Sequence, residues 1–214
     1  VYGPAVVNEW HAEWNAKPGP EQAALMARQG VRYLALEGLD VMDAATMQPV
    51  PADGATLGEV MMRGNVVMKG YLKDEAATAA AFKGGWVHTG DLAVKHPDGY
   101  VQLKDRSKDV IKSGGEWVSS IDLENTAVAH PAIAEAAVIG VAHPKWDERP
   151  LLIVVRKDGQ EVTREQLLDF MRDKIAKWWL PDDVVFVDSL PHTATGKLLK
   201  TKLREEFGSH KLPS

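Results

Sequence analysis

Cysteine is absent from the 214 residues, which excludes disulfides and thiolate chemistry and suits a cytoplasmic protein. No run of about 18 apolar residues occurs, so no segment has the length of a membrane span. An excess of basic charge is missing too. The 25 lysines and arginines stand against 30 aspartates and glutamates, a net charge of -5, whereas general nucleic-acid binding asks for a basic patch or stripe. The opening VYGPAVVNEW has neither the basic start nor the apolar centre of a signal peptide, and it lacks an initiating methionine. The sequence therefore reads as a piece of a longer chain. No internal repeat, low-complexity tract or GxxxxGK[ST] phosphate loop is found.

What remains is a globular composition, 45% hydrophobic and 26% charged, at a length that fits one large domain or two modest ones. Residues 1–30 carry Trp10 and Trp14, expected to pack a core, and the helix-compatible EQAALMARQ. From Val31 to Leu103 short apolar runs are broken by turns: VRYLALEGLDVMD, GEVMMRG and LAVKHPDGYVQLKDR. Pro97-Asp98-Gly99 marks a hairpin, and Asp74 caps a short alanine-rich helix through Phe82. After Arg106 the pattern changes. Ser119 and Asp122 cap a helix that Pro131 stops near His130, and AEAAVIGVAH, LLIVVRK and VVFV read as strands. Thr163 and Gln166 form a capping box before Leu167, Met171, Ile175 and Trp178, which predicts an amphipathic helix over 163–178, and Leu198 to Phe207 closes the chain as a helix. The expected class is α+β, with a β-rich, distorted barrel-like part over 1–107 and a smaller α+β domain over 108–214, joined by SKDVIKSGGEW as a hinge.

Four clusters bring together residue types with chemical use. Asp91, in Thr89-Gly90-Asp91, is placed just past a turn, where a carboxylate can accept two hydrogen bonds from a vicinal diol. Arg106 ends the hairpin that Asp91 leads into, so a donor fork and a carboxylate can face one cleft. Gly114 and Gly115 let the chain pass close to a ligand, with Glu116 and a potentially stacking Trp117 beside them. Lys197 follows Gly196 in PHTATGKLLK and offers a point charge on a tight loop. Asp188-Ser189-Leu190 is not a phosphopantetheine carrier site, because Pro191 follows where a helix would have to open. Read alone, each cluster also fits an ordinary turn, surface ion pair or linker.

Taken in order, WVHTGDLA, GYVQLKDRSKDVIKSGGEWVSSIDLE and LPHTATGKLLK closely resemble the carboxyl-terminal part of the adenylate-forming superfamily of acyl-CoA synthetases, adenylation domains and luciferases. The resemblance is clearest from Gly58 to Phe207, and fatty-acyl-CoA synthetases are the nearest in kind. It implies that residues 1–107 end a large adenylating domain and that the remainder is a small domain rotating about Lys108. It further implies that Asp91 and Arg106 hold the ribose of ATP or AMP, that Lys197 is catalytic in adenylation, and that Gly114, Gly115 and Glu116 meet CoA. The substrates implied are a fatty or related carboxylic acid, CoA, and ATP with Mg2+. No residue is assigned as a metal ligand, and a homo-oligomer is left open. Some of the family's pattern is absent: the glycine-rich phosphate loop and the aromatic-Gly-x-Thr-Glu segment would precede Val1. Trp117 stands where an arginine often faces the CoA phosphate, a task that passes to Arg149 in KWDERP. Two other readings stay open: a non-catalytic binding module, and an adenylation domain that loads a carrier protein.

Overall fold

Residues 1–213 are described in the computed structural model. They group into two units, Val1–Ser107 and a second beginning at Lys108. In the first, strands β1 (Val6–Val7) and β2 (Val31–Arg32) pair antiparallel, with helix α1 (Gly19–Met26) between them in the chain. Then come β3 (Gly38–Met42), β4 (Gly58–Arg63), helix α2 (Glu75–Ala81), β5 (Val87–Lys95) and β6 (Val101–Arg106). The last four strands form an antiparallel sheet in sequence order. Each gives one buried side chain to its core: Val41, Val60, Ala93 and Val101. Asp74 caps α2 by accepting from the Ala77 amide at 2.9 Å, as its short polar side chain predisposes it to do.

The second unit runs β7 (Ile111–Ser113), β8 (Glu116–Val118), α3 (Ser120–Val128), β9 (Ile133–His143), β10 (Asp147–Arg156), α4 (Arg164–Arg172), β11 (Asp183–Phe186) and α5 (Lys200–Phe207). Strand β10 has β9 antiparallel on one edge and β11 parallel on the other. Its apolar run follows from that position, since a strand covered on both faces has no polar side to alternate with. Leu152 and Val154 meet residues of α3 and α4, including Leu123, Leu167 and Met171, while Leu151 and Ile153 meet Leu190 and, from α5, Leu203. Burying one such side chain contributes roughly 1.5–3 kcal/mol, so this double-sided strand is the unit's main anchor.

The α+β class holds, with differences in detail. The first unit's sheet is open rather than barrel-like, because among the described residues its edge strands β3 and β6 do not pair with each other, each meeting only an isolated bridge, to Pro49 and to Gly30. VRYLALEGLDVMD is broken into β2 and β3, with Leu36 buried between them. Trp14 is buried as expected, but Trp10 is 37% exposed. The hinge assigned to SKDVIKSGGEW is mostly the β7–β8 hairpin. Adjacent glycines at φ +62° and +87° make its two-residue turn, the conformation that a twisted hairpin favours and that side chains resist. The helix drawn over 163–178 stops at Arg172. The chain then makes a separate short turn over Lys177–Trp179, and the carbonyls of Trp178 and Leu180 accept from the guanidinium of Arg149 at 2.8 and 3.0 Å. The closing helix begins at Lys200, after Leu198 has bridged to His192.

Candidate functional site

Asp91 lies within β5 rather than past a turn, and its Cα is paired with that of Arg106 across the hairpin. Arg106 Nε stands 3.3 Å from Asp91 Oδ1, with the arginine 56% and the aspartate 33% exposed. An ion pair this open contributes little to stability, so both groups remain available to a polar ligand. The strand is bulged here, with register shifts between Leu92 and Ala93 and, on β4, between Glu59 and Met61. Gly90 takes φ +73° at the bulge. Its amide donates to Glu59 Oε1 at 2.8 Å, and its carbonyl accepts from the Ser107 amide at 2.9 Å. The Asp91 amide donates to Thr89 Oγ1 at 3.1 Å, and that hydroxyl donates to the Val60 carbonyl at 2.8 Å.

In the second unit, Gly114, Glu116, Arg149, Trp146 and Trp178 line a pocket of about 420 Å³. The Gly114 amide donates to the Trp146 carbonyl at 2.8 Å. Trp146 and Trp178 are 42% and 39% exposed. Exposed indoles beside a glycine turn offer flat apolar surface to a ring and a narrow passage to a chain. Above Gly115 the space is open, with no atom within 4 Å of where a Cβ would lie. The ammonium groups of Lys145 and Lys112 sit 4.5 and 5.2 Å from the ring centres of Trp146 and Trp117. Arg149 does not present its charge to an anion as expected. Its side chain is 12% exposed, and its three nitrogens donate to Asp182, Ser113 Oγ and the carbonyls of Trp178 and Leu180.

Lys197 stands on a loop closed by its own backbone. The Thr193 amide donates to the Lys197 carbonyl at 2.7 Å, the Lys197 amide to Thr193 Oγ1 at 3.1 Å, and the Gly196 amide to the Thr193 carbonyl at 2.9 Å. The Lys197 side chain is exposed and makes no ion pair among the described residues. Three residues later, Lys200 is spent inside the fold: Nζ is 2.6 Å from Glu124 Oε1 and from Ser120 Oγ, and the side chain is 11% exposed. The motif thus holds one structural lysine and one free one.

Ser107 and Lys108 are tied to different units. Ser107 donates to Gly90 in the first, while the Lys108 carbonyl accepts from Arg204 Nη2 of α5 at 3.1 Å in the second. Arg204 also pairs with Asp109 at 2.6 Å. The peptide between residues 107 and 108 is therefore where one set of anchors ends and the other begins.

Residues 122–197 match the AMP-binding enzyme C-terminal domain family. An acetate–CoA ligase of Humulus lupulus is 51% identical over 219 residues, an alignment that takes in 99% of this chain and 38% of the relative. ATP-bound MatB from Rhodopseudomonas palustris is similar in structure, with TM-score 0.79 and 32% identity over 86% of this chain and 36% of that one. Residues 122–197 thus carry an AMP-binding enzyme C-terminal domain. A second relative, the 3-methylmercaptopropionyl-CoA ligase of Ruegeria lacuscaerulensis, is 53% identical over 192 residues, covering 89% of this chain and 34% of the relative. The chain thus spans little more than a third of the length of these relatives.

The structure adds residues that the sequence did not single out. Glu59 and His88 stand behind Asp91, and Trp146 and Trp178 flank the glycine turn. One signal for Glu59 was present: a lone carboxylate in the apolar strand GEVMMR, where a buried charge needs a partner. Trp178 had none, because its spacing from Met171 fits a helix that the fold does not continue.

Proposed function

We propose that this chain is the carboxyl-terminal part of an ATP-dependent, AMP-forming acid:CoA ligase. In the first half-reaction a carboxylate oxygen attacks the α-phosphorus of ATP, the bond to the β-phosphate oxygen breaks, and pyrophosphate leaves. In the second the CoA thiol, losing its proton, attacks the acyl carbon and AMP departs. The relatives named above are CoA ligases, and ATP is bound in the structural neighbour. The acids in the relatives' names, acetate and 3-methylmercaptopropionate, favour a small carboxylic acid over a long fatty one.

The roles proposed for the site residues are supported by their geometry. The carboxylate of Asp91 accepts from the ribose hydroxyls, and Arg106, directly opposite, donates to the same sugar. Lys197 brings its ammonium to the phosphate and carboxylate oxygens as negative charge grows there. Gly114 and Gly115 leave room for the pantetheine chain, with Glu116 beside them and the Trp146–Trp178 pocket to receive the flat ring of CoA. Lys145 and Lys112, rather than Arg149, are positioned to meet CoA phosphates. The two half-reactions require different groups of the second unit at one acyl carbon, and Lys108 is the proposed pivot between them. Magnesium enters with the ATP phosphates. Among the described residues no cluster of three His, Asp or Glu could hold a metal ion, and no step is assigned to it. For the compartment we keep the cytoplasm, on the cysteine-free composition.

The observation that carries this reading is the free ammonium of Lys197 on a closed loop, next to a lysine already consumed by the fold. In the intact enzyme, Lys197→Ala should lower adenylate formation by 100-fold or more, read as ATP–pyrophosphate exchange. Thioester formation from presynthesised acyl adenylate should stay within a few fold of wild type. Equal loss of both half-reactions would overturn the role.

A further inference from the structure

Glu59 lies in β4 and is 9% exposed, a costly place for a carboxylate unless each oxygen is engaged. Both are. Oε1 accepts from the Gly90 amide at 2.8 Å, and Oε2 is 2.8 Å from His88 Nδ1. The other ring nitrogen of His88 is 3.1 Å from the Lys83 carbonyl, so the imidazole is fixed at both ends. Gly90 immediately precedes Asp91 and occupies the bulge that turns the Asp91 side chain toward Arg106. The Glu59 carboxylate therefore sets where the Gly90–Asp91 peptide lies.

We propose that Glu59, braced by His88, is a positioning residue for Asp91. It holds the bulge so that the Asp91 carboxylate can meet both hydroxyls of the ribose at once. This rests on the reading of Asp91 as the ribose acceptor. A bulge is a soft point in a sheet, because its extra residue is unpaired in the ladder. Among the described residues the other hydrogen bond to Gly90 comes from the Ser107 amide at its carbonyl, which leaves the amide side to Glu59. Accepting from two hydroxyls is a geometric demand that an ångström of drift would defeat, while accepting from one survives it.

The proposal predicts a change in sugar discrimination, which a general loss of folded enzyme would not produce. In the full-length enzyme, kcat/KM is measured for ATP and for 3′-deoxy-ATP in wild type, Glu59→Ala, Glu59→Gln and Asp91→Asn. Glu59→Ala should reduce the preference for ATP by tenfold or more, mostly through KM. Glu59→Gln keeps a carbonyl oxygen for the Gly90 amide and should stay within threefold of wild type. Asp91→Asn is the control: if it keeps the wild-type preference, the ribose reading itself fails. If Asp91→Asn loses the preference while Glu59→Ala keeps it, the positioning role is overturned. Should Glu59→Ala fail to fold, Glu59→Asp decides. It retains the charge beside His88 but is one methylene too short to serve Gly90 as well, so an unchanged preference in it overturns the proposal.

Discussion

A Cβ on Gly114 would lie 2.9 Å from Cε3 of Trp146, closer than side chains tolerate, and the backbone there is at φ +62°. Gly115 has a similar φ of +87° but open space above it. Gly114→Ala should therefore cost more than Gly115→Ala, by about 1–2 kcal/mol, since it adds a displaced indole to the same backbone penalty of about 1 kcal/mol. Chemical denaturation of the two variants checks the order, and equal midpoints would contradict it. At this scale the sequence was most informative where a turn fixes a register. Counting outward from Pro97-Asp98-Gly99 brings Asp91 to within one residue of Arg106 across the hairpin, and the register shift between Leu92 and Ala93 supplies that one residue. It was least informative where partners come from far along the chain. Arg149 reads as a free cation until Asp182, 33 residues away, is seen to hold it. Arg28 is a similar case: buried, over the ring of Tyr100 at 4.2 Å, and bonded to Asp98 at 2.7 Å.

Helix α4 has a local signal at its start and none at its end. Its start was legible, because the capping box is a purely local bargain: the Gln166 amide donates to Thr163 Oγ1 at 3.2 Å and the Thr163 amide to Gln166 Oε1 at 2.9 Å. Its end at Arg172 was not, because the apolar spacing runs on through Ile175 and Trp178 with no local stop signal. Thr163→Ala should destabilise the second unit by about 1 kcal/mol, the usual worth of such a cap, as Leu167, Leu168 and Met171 lose a fixed entry into the core. A urea midpoint that falls with an unchanged slope is the expected result, and a changed slope would indicate a different folded or unfolded state. The β7–β8 hairpin teaches the opposite lesson. IKS-GG-EWV carries a two-residue turn signal between short stretches of mixed polar and apolar residues, and reading it as a hinge overlooked that a twisted turn requires those glycines.

For the molecule as a whole, each unit holds a carboxyl group below its ordinary value of 3.8. For Asp183 in the second, burial pushes upward, but hydrogen bonds from His210, the Val184 amide and Arg164 outweigh it. For Asp98 in the first, burial is likewise outweighed by Arg28 and the Tyr100 amide. A depressed carboxyl group stabilises the folded state above the unfolded value and loses that contribution as pH falls through the folded one. Both units should thus lose stability on acidification below about pH 4, and Asp183→Asn should flatten that decline in the second unit. Melting temperatures between pH 2.5 and 6 check this, and a wild-type slope in Asp183→Asn would count against it. Division of the chain after Ser107 falls beside the change in composition after Arg106; the crossover that sets β11 beside β10 left no local trace. That crossover bears on synthesis. Strand β10 emerges from the ribosome with β9 already available, but its other edge waits for Asp183–Phe186. At the ordinary pace of translation the wait is roughly 1–5 s, during which a naked apolar edge is open to adhesion between nascent chains. A chaperone that shields Leu151 to Val155 in that interval would govern the yield of folded protein.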